Sequence, residues 1–231
     1  MVKETYLMGK KIFPFESKEQ FLFFLEGRKQ ILVALNAEKL NSNNAELNEI
    51  INKNIGYADG IGAVLALRRK GIHATKIAGA EFWLDIISKY HGSKSFYIIG
   101  STPEVIQQTV GKLKMDFNGI KIKGYRDGFF KEGDQEKLID DLVLTKPDIV
   151  FVAQGSPRQE ILMNNLINQH KALYMGLGGS FDVYTGTKKR APILFQKTGL
   201  EWLYRLIKEP TRISRQTSLL KFFIKIIFGK I

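Results

Sequence analysis

Four short runs along the chain are apolar almost without interruption: Gln30–Leu35, Ser95–Gly100, Asp148–Ala153 and Lys171–Met175. Each stops at a turn-compatible residue or a glycine and gives way to a stretch with apolar positions at helical spacing. After Gly100 comes Ser101-Thr102-Pro103-Glu104, in which Ser101 or Thr102 can cap a helix, Pro103 suits its first turn, and Val105, Ile106 and Val110 repeat on one face. After Ala153, Gln154-Gly155-Ser156-Pro157 precedes a predicted helix from Arg158 to about Gln169. Continuous apolar strands alternating with helices predict an α/β fold, a Rossmann-like and mostly parallel sheet with helices on both faces. In such sheets ligands bind beyond the carboxyl ends of the strands. The loops after Leu35, Gly100, Ala153 and Met175 are therefore where chemistry is expected.

The pattern changes after Pro192. Residues 193–208 read as a helix rich in Leu, Trp and Tyr, interrupted at Pro210, and an apolar-basic segment follows. This divides the chain into an expected core over 1–195 and a C-terminal helical appendage, basic and aromatic, over 196–231.

Composition narrows the class. At 44% hydrophobic and 25% charged residues the chain can bury a core and is not of the disordered type. It has no cysteine, which removes disulfides, Cys-zinc sites and thiol nucleophiles. Neither a signal peptide nor an apolar run of ~18 residues is visible, so no membrane span is expected. The net charge is +12, and residues 210–231 supply Arg212, Arg215, Lys221, Lys225 and Lys230 with no acid among them. A field of this sign attracts anionic lipid, nucleic acid or phosphorylated substrates.

Four constellations carry candidate chemistry. Asp59 lies in Tyr57-Ala58-Asp59-Gly60-Ile61-Gly62, before a predicted helix Ala63–Arg69, and either faces a cleft or merely caps that helix; no strand clearly precedes it. Gln154, Gly155, Arg158, Gln159 and Glu160 open a helix after a strand, where free N–H groups suit an anion, or form a solvated loop. Gly176, Gly178 and Gly179 permit close approach of a phosphate or nucleoside. Asp182 can bond a ribose hydroxyl, and Lys188-Lys189-Arg190 can offset phosphate charge or simply be solvated. The last constellation sets Arg205, Arg212 and Arg215 beside Trp202, Tyr204, Phe222, Phe223 and Phe228, which suits either a helix in a membrane interface or a packed helix with a basic outer face. No GxGxxG, P-loop, HExxH, EF-hand or acidic DxD pair occurs, and His73, His91 and His170 are scattered, so neither a metal nor a cofactor is expected.

In this order and spacing the segments resemble the WecG/TagA/CpsF family of bacterial glycosyltransferases, from about Ile31 to Arg215. The motifs are Leu35-Asn36-Ala37-Glu38, Ala58–Gly62, Gly155–Glu160, Gly176–Asp182, Arg190-Ala191-Pro192, and Gly199–Arg205 with Glu209–Arg212. The resemblance implies inverting, metal-independent transfer of a hexosyl or N-acetylhexosaminyl group from a UDP-sugar to an undecaprenyl-diphosphate-linked saccharide. The products would be surface polymers such as teichoic acid or capsule, made at the inner face of the cell membrane by a cytoplasmic, peripherally bound enzyme. It implies Asp59 as general base and Arg205, Arg212 and Arg215 as cations reaching the diphosphate. Substrate contacts fall on Asn36, Lys76, Gln154, Gly155, Gln159, Gly176, Gly178, Gly179, Asp182 and Arg190. Two positions depart from the family pattern. Ala34 stands where Thr is common, and Lys76 stands where Arg is common before Gly79; both lie near the expected sugar pocket. Self-association through the appendage is a further expectation. The competing classes are a basic nucleic-acid-binding module, a nicotinamide-dependent enzyme and a non-catalytic membrane scaffold. Missing motifs disfavour the first two.

Overall fold

The computed structural model describes residues 2–189, 191, 192, 194, 195, 201–208, 222, 224–226 and 228. The chain starts with a hairpin, β1 (Thr5–Leu7) and β2 (Lys10–Ile12), turned by Met8 and Gly9, both at positive φ. After α1 (Lys18–Phe24), capped by Ser17, the main sheet begins with β3 (Ile31–Leu35). There follow α2 (Ala37–Leu40), α3 (Ala45–Lys53), β4 (Ile55–Ala58), α4 (Ile61–Arg69) and α5 (Gly79–Tyr90). The second half contains β5 (Ser95–Gly100), α6 (Pro103–Asp116), β6 (Lys121–Arg126), α7 (Asp134–Thr145), β7 (Ile149–Ala153), α8 (Arg158–Gln169), β8 (Leu173–Gly176) and α9 (Ser180–Tyr184). Beyond them lies α10 (Glu201–Lys208).

Six parallel strands form the sheet in the order β4-β3-β8-β7-β5-β6. Alternation within the strands divides the core into two layers. Tyr97 and Ile99 of β5 belong to the layer that also holds α3, α4, α7 and α8, while Phe96 and Ile98 belong to the layer of α1, α5 and α6. The expected Rossmann-like α/β sheet with helices on both faces is thus present. β5 leads to α6 on one face and the neighbouring β7 to α8 on the opposite face. Diverging connections of this kind leave a crevice above the carboxyl ends.

Besides the two strands of the hairpin, two strands of the main sheet escape the sequence pattern. β4 precedes Asp59 directly, correcting the expectation that no strand does so. It is short and carries Gly56, which depresses strand propensity. The glycine is required because a Cβ there would meet the Lys11 carbonyl oxygen at 2.3 Å, where the hairpin lies against the strand. β6 is an edge strand, Lys-Ile-Lys-Gly-Tyr-Arg, whose alternation is half polar. Boundaries also move: α4 starts at Ile61 rather than Ala63, and β8 runs Leu173–Gly176 rather than from Lys171.

The described part of the C-terminal region is helical at 194–195, 201–208, 222 and 224–226. Phe222 and Ile226 are buried in the α2–α3–α4 layer. A Cβ on Gly62 would lie 2.8 Å from Phe222 Cε1, and Lys225 Nζ donates to Asn41 Oδ1 at the end of α2. This stretch therefore docks beside the loops that follow β3 and β4. Among the described residues, no helix is long and apolar enough to cross a membrane.

Candidate active site

Parallel pairing brings the ends of β3, β4, β8 and β7 together, and with them most of the candidate residues. The Asp59 N–H donates to the Leu35 carbonyl (3.1 Å), extending the ladder by one residue and fixing Asp59 at the rim of the sheet. Its carboxylate does not cap the next helix: the N-cap of α4 is Gly60, with no side-chain cap bond. Oδ1 instead accepts from the Gly79 N–H at 2.7 Å, closing the N-terminus of α5 from twenty residues away. A negative charge at that helix end is favoured by the helix dipole. Lys76 is half-buried, and its neighbour Ile77 donates to the Ala58 carbonyl (2.8 Å), so the Lys76–Gly79 segment runs beside the end of β4.

Asn36 sits directly after β3. Its Oδ1 accepts from the Lys39 N–H (3.0 Å), capping the single turn of α2, and its Cβ and Cα are the nearest atoms to a Cβ built on Gly60. The Asn36 and Asp59 loops thus lie side by side.

Gln159 organises the opposite wall. It is 3% exposed, and its Oε1 accepts from both Gly155 N–H (3.2 Å) and Gly178 N–H (2.9 Å). One carboxamide therefore ties the loop after β7 to the loop after β8. Gly176 is a glycine for the same reason: a Cβ there would meet Gln159 Nε2 at 2.5 Å. Nε2 donates to Glu160 Oε1 (3.0 Å), which also receives Lys39 Nζ at 2.7 Å. Glu160 and Lys39 are buried, at 1% and 7% exposure. Burial alone would raise the Glu160 carboxyl; the Lys39 ammonium, with hydrogen bonds, outweighs it and holds the group below its usual range. This pair spans 121 residues of sequence and clamps α2 to α8 beneath the cleft.

The crevice continues over β7, β5 and β6. Ser101 has φ 58, a left-handed conformation uncommon outside glycine and one that marks functional loops. Its Oγ donates to Asp182 Oδ2 (3.3 Å), and Lys188 pairs with Asp182 Oδ1 (3.4 Å). Gln154 Nε2 donates to the Gly128 carbonyl (3.0 Å), joining the loops after β7 and β6. Gly178 lies at φ 57 and Gly179 is exposed, next to the start of α9. Of the two residues open to capping, Thr102 is the N-cap of α6.

Asn36, Lys76, Asp59, Gln154, Gly155, Gln159, Gly176, Gly178, Gly179 and Asp182 accordingly lie at, beside or just beyond the carboxyl ends of β3, β4, β7 and β8. Arg205 is on α10, but its side chain is outside the described part of the molecule, and Arg190, Arg212 and Arg215 lie outside the described residues. Sequence reading missed Ser101 as more than a cap, Gly79 as the partner of Asp59, and Lys39 as the partner of Glu160. Among the described residues no group of three or more His, Asp or Glu side chains converges.

A cavity of about 420 Å³ occupies the other end of the sheet, lined by Arg28, Lys29, Lys94, Lys146 and Lys171 with Asp148. Asp148 is taken up by Ser95, whose N–H and Oγ donate to Oδ2 at 2.9 and 2.8 Å. At this end α5, α7 and α8 terminate, and basic residues there answer the negative ends of the helix dipoles. The carboxyl-end crevice, with a carboxylate and uncapped helix starts at α4 and α8, is the better candidate for chemistry.

The fold and the site define a Rossmann-like α/β enzyme with its crevice at the strand ends. The model of the glycosyl transferase WecG/TagA/CpsF family matches residues 12–231, and the chain belongs to that family. It is accordingly a glycosyltransferase of cell-surface polysaccharide synthesis, acting on a sugar donor and an acceptor.

Proposed function

We propose that this enzyme transfers a hexosyl or N-acetylhexosaminyl group from a UDP-sugar to an undecaprenyl-diphosphate-linked saccharide, inverting the anomeric carbon without a metal. The observation that carries the reading is the Asp59 carboxylate, fixed by the Gly79 N–H just beyond the carboxyl end of β4, where the fold is expected to bind its ligands. Inversion needs one base on the side of the attacking hydroxyl, opposite the departing diphosphate, and a rigidly held carboxylate serves. Charge growing on the leaving UDP must be met by fixed donors. The starts of α4 and α8, which have no side-chain cap, supply N–H groups in this reading, and Arg190, Arg205, Arg212 and Arg215 supply cations. In this reading Gln159 acts chiefly by shaping the Gly155 and Gly178 loops, Asn36 and Lys76 flank the sugar, and Gln154 and Asp182 flank the nucleotide.

Phe222 and Ile226 seat the end of the appendage beside α2 and α4, which supports a role for its cations near the loops after β3 and β4. Ile207, Ile224 and Phe228 are exposed around it, and with the basic field of residues 210–231 they suit an anionic membrane surface on the cytoplasmic side. The same apolar surface would support self-association in the absence of lipid.

A panel of UDP-sugars, offered with a short-chain prenyl-diphosphate-linked saccharide in the presence of a chelator, tests the reaction. Release of UDP and a product of inverted anomeric configuration are expected. Salt-sensitive binding of arbitrary DNA without affinity for UDP would instead favour the nucleic-acid reading. Alanine at both Arg212 and Arg215 is expected to lower kcat at least about tenfold, with little change in thermal midpoint. Charge removal is the cleaner test, because truncation before residue 196 also strips Phe222 from Gly62.

A further inference from the structure

Tyr57 stands two residues before Asp59 along β4, so the two side chains leave the same face of the sheet. Its ring is fully buried, with centroids 5.1 Å from Phe21 and 6.3 Å from Phe82. The packing explains an aromatic residue but not the hydroxyl. Oη is inaccessible and has no hydrogen-bond partner among the described residues. A buried hydroxyl left unpaired costs free energy that phenylalanine in the same place would avoid.

Gly79 shows where that oxygen is lodged. A Cβ built on Gly79 would lie 2.7 Å from Tyr57 Oη and 3.6 Å from Asp59 Oδ1. The hydroxyl and the carboxylate thus crowd one residue, the same residue whose N–H holds Asp59. A glycine there makes room for the hydroxyl, with the carboxylate at contact distance from the same residue. The charged groups acting on the phenol are Asp59 from its own strand and Glu160 from α8, the latter answered by Lys39. Burial first, and these carboxylates next, hold the phenol well above its usual range, so it stays a proton donor throughout the working pH.

We propose that Tyr57 is a positioning residue for Asp59: when a bound donor closes the crevice, its hydroxyl donates to the carboxylate alongside the Gly79 N–H. The carboxylate then keeps one orientation while it takes the proton of the acceptor hydroxyl. This rests on the reading of Asp59 as the base.

The test compares wild type, Tyr57→Phe and Asp59→Asn, each labelled with carboxyl-¹³C aspartate and saturated with UDP. The Asp59 resonance is the one absent from Asp59→Asn. In Tyr57→Phe it is expected to titrate about half a unit to one unit higher, the worth of one lost hydrogen bond to the charged form. The acidic limb of the kcat profile moves with it, kcat falls roughly three- to tenfold, and KM for the donor is unchanged. The thermal midpoint holds or rises, since only an unpaired atom is removed. An unmoved resonance with kcat within about twofold of wild type, or a lowered midpoint, would overturn the proposal. If Asp59→Asn is inactive while the resonance in Tyr57→Phe stays put, only the role of Tyr57 falls. Near-normal turnover by Asp59→Asn removes the base, and Tyr57 with it.

Discussion

Replacing Asp59 by asparagine is expected to lower kcat by at least about a hundredfold while leaving UDP affinity within about twofold. The structure makes this substitution unusually clean. Asparagine keeps an Oδ1 that can accept the Gly79 N–H, so the N-terminus of α5 stays closed and the fold is not at issue. What is lost is the capacity to hold a proton. Alanine would confound the two, because a lost cap costs about 0.5–2 kcal/mol of stability. Comparing the variants separates chemistry from capping: equal loss of turnover with unequal loss of stability identifies a base. Asparagine with near-normal turnover would leave Asp59 as a helix cap and nothing more.

The second large effect is on stability. Changing Lys39 to methionine removes the only charge paired with Glu160 among the described ion pairs and strands a carboxylate that is 1% exposed. The expected cost is about 3–5 kcal/mol at neutral pH, measured as a loss in urea or thermal unfolding. The pH dependence should also reverse. In the wild type the Glu160 carboxyl is held below its usual range, so its contribution is present above the ordinary carboxylate range and is lost as pH falls from there through the lowered folded value. Without Lys39, burial dominates and raises the carboxyl. The folded form then binds a proton more tightly than the unfolded chain, and the variant gains stability on acidification from pH 7 to 5. Because Glu160 also positions the Gln159 carboxamide, UDP affinity is expected to fall in the same variant even where it is folded. A variant as stable as wild type at pH 7, or one with the same acid sensitivity, would show that the pair clamps nothing.

Much of this architecture was legible in the sequence, and the exceptions have physical causes. The strands at Ser95–Gly100 and Ile149–Ala153 announce themselves because both faces are buried and every position but Ser95 is apolar or glycine. β4 hides because it must carry Gly56 against the hairpin, and β6 hides because an edge strand is half solvent-facing. At the site, residues close in sequence were readable as motifs. Gln159 and the glycines of the β8 loop follow strand ends, as the alternating pattern implied, whereas Asp59 was readable as a motif without the strand that precedes it. Pairings across the chain were not readable. Nothing local links Lys39 to Glu160, Ser101 to Asp182, or Gly79 to Asp59; only the strand order β4-β3-β8-β7-β5-β6 brings them together. Gln159 is a case where the motif hides the action: its buried carboxamide is spent on the Gly155 and Gly178 amides of two neighbouring loops.

The location of the donor is the most direct test, and a structure determined with UDP bound provides it. The nucleotide should lie over the carboxyl ends of β7 and β8, against the Gly155 and Gly178 loops, with the side that carries the sugar turned toward Asp59. UDP seated instead in the basic cavity among Lys29, Lys94, Lys146 and Lys171, at the opposite end of the sheet, would contradict the assignment of the site.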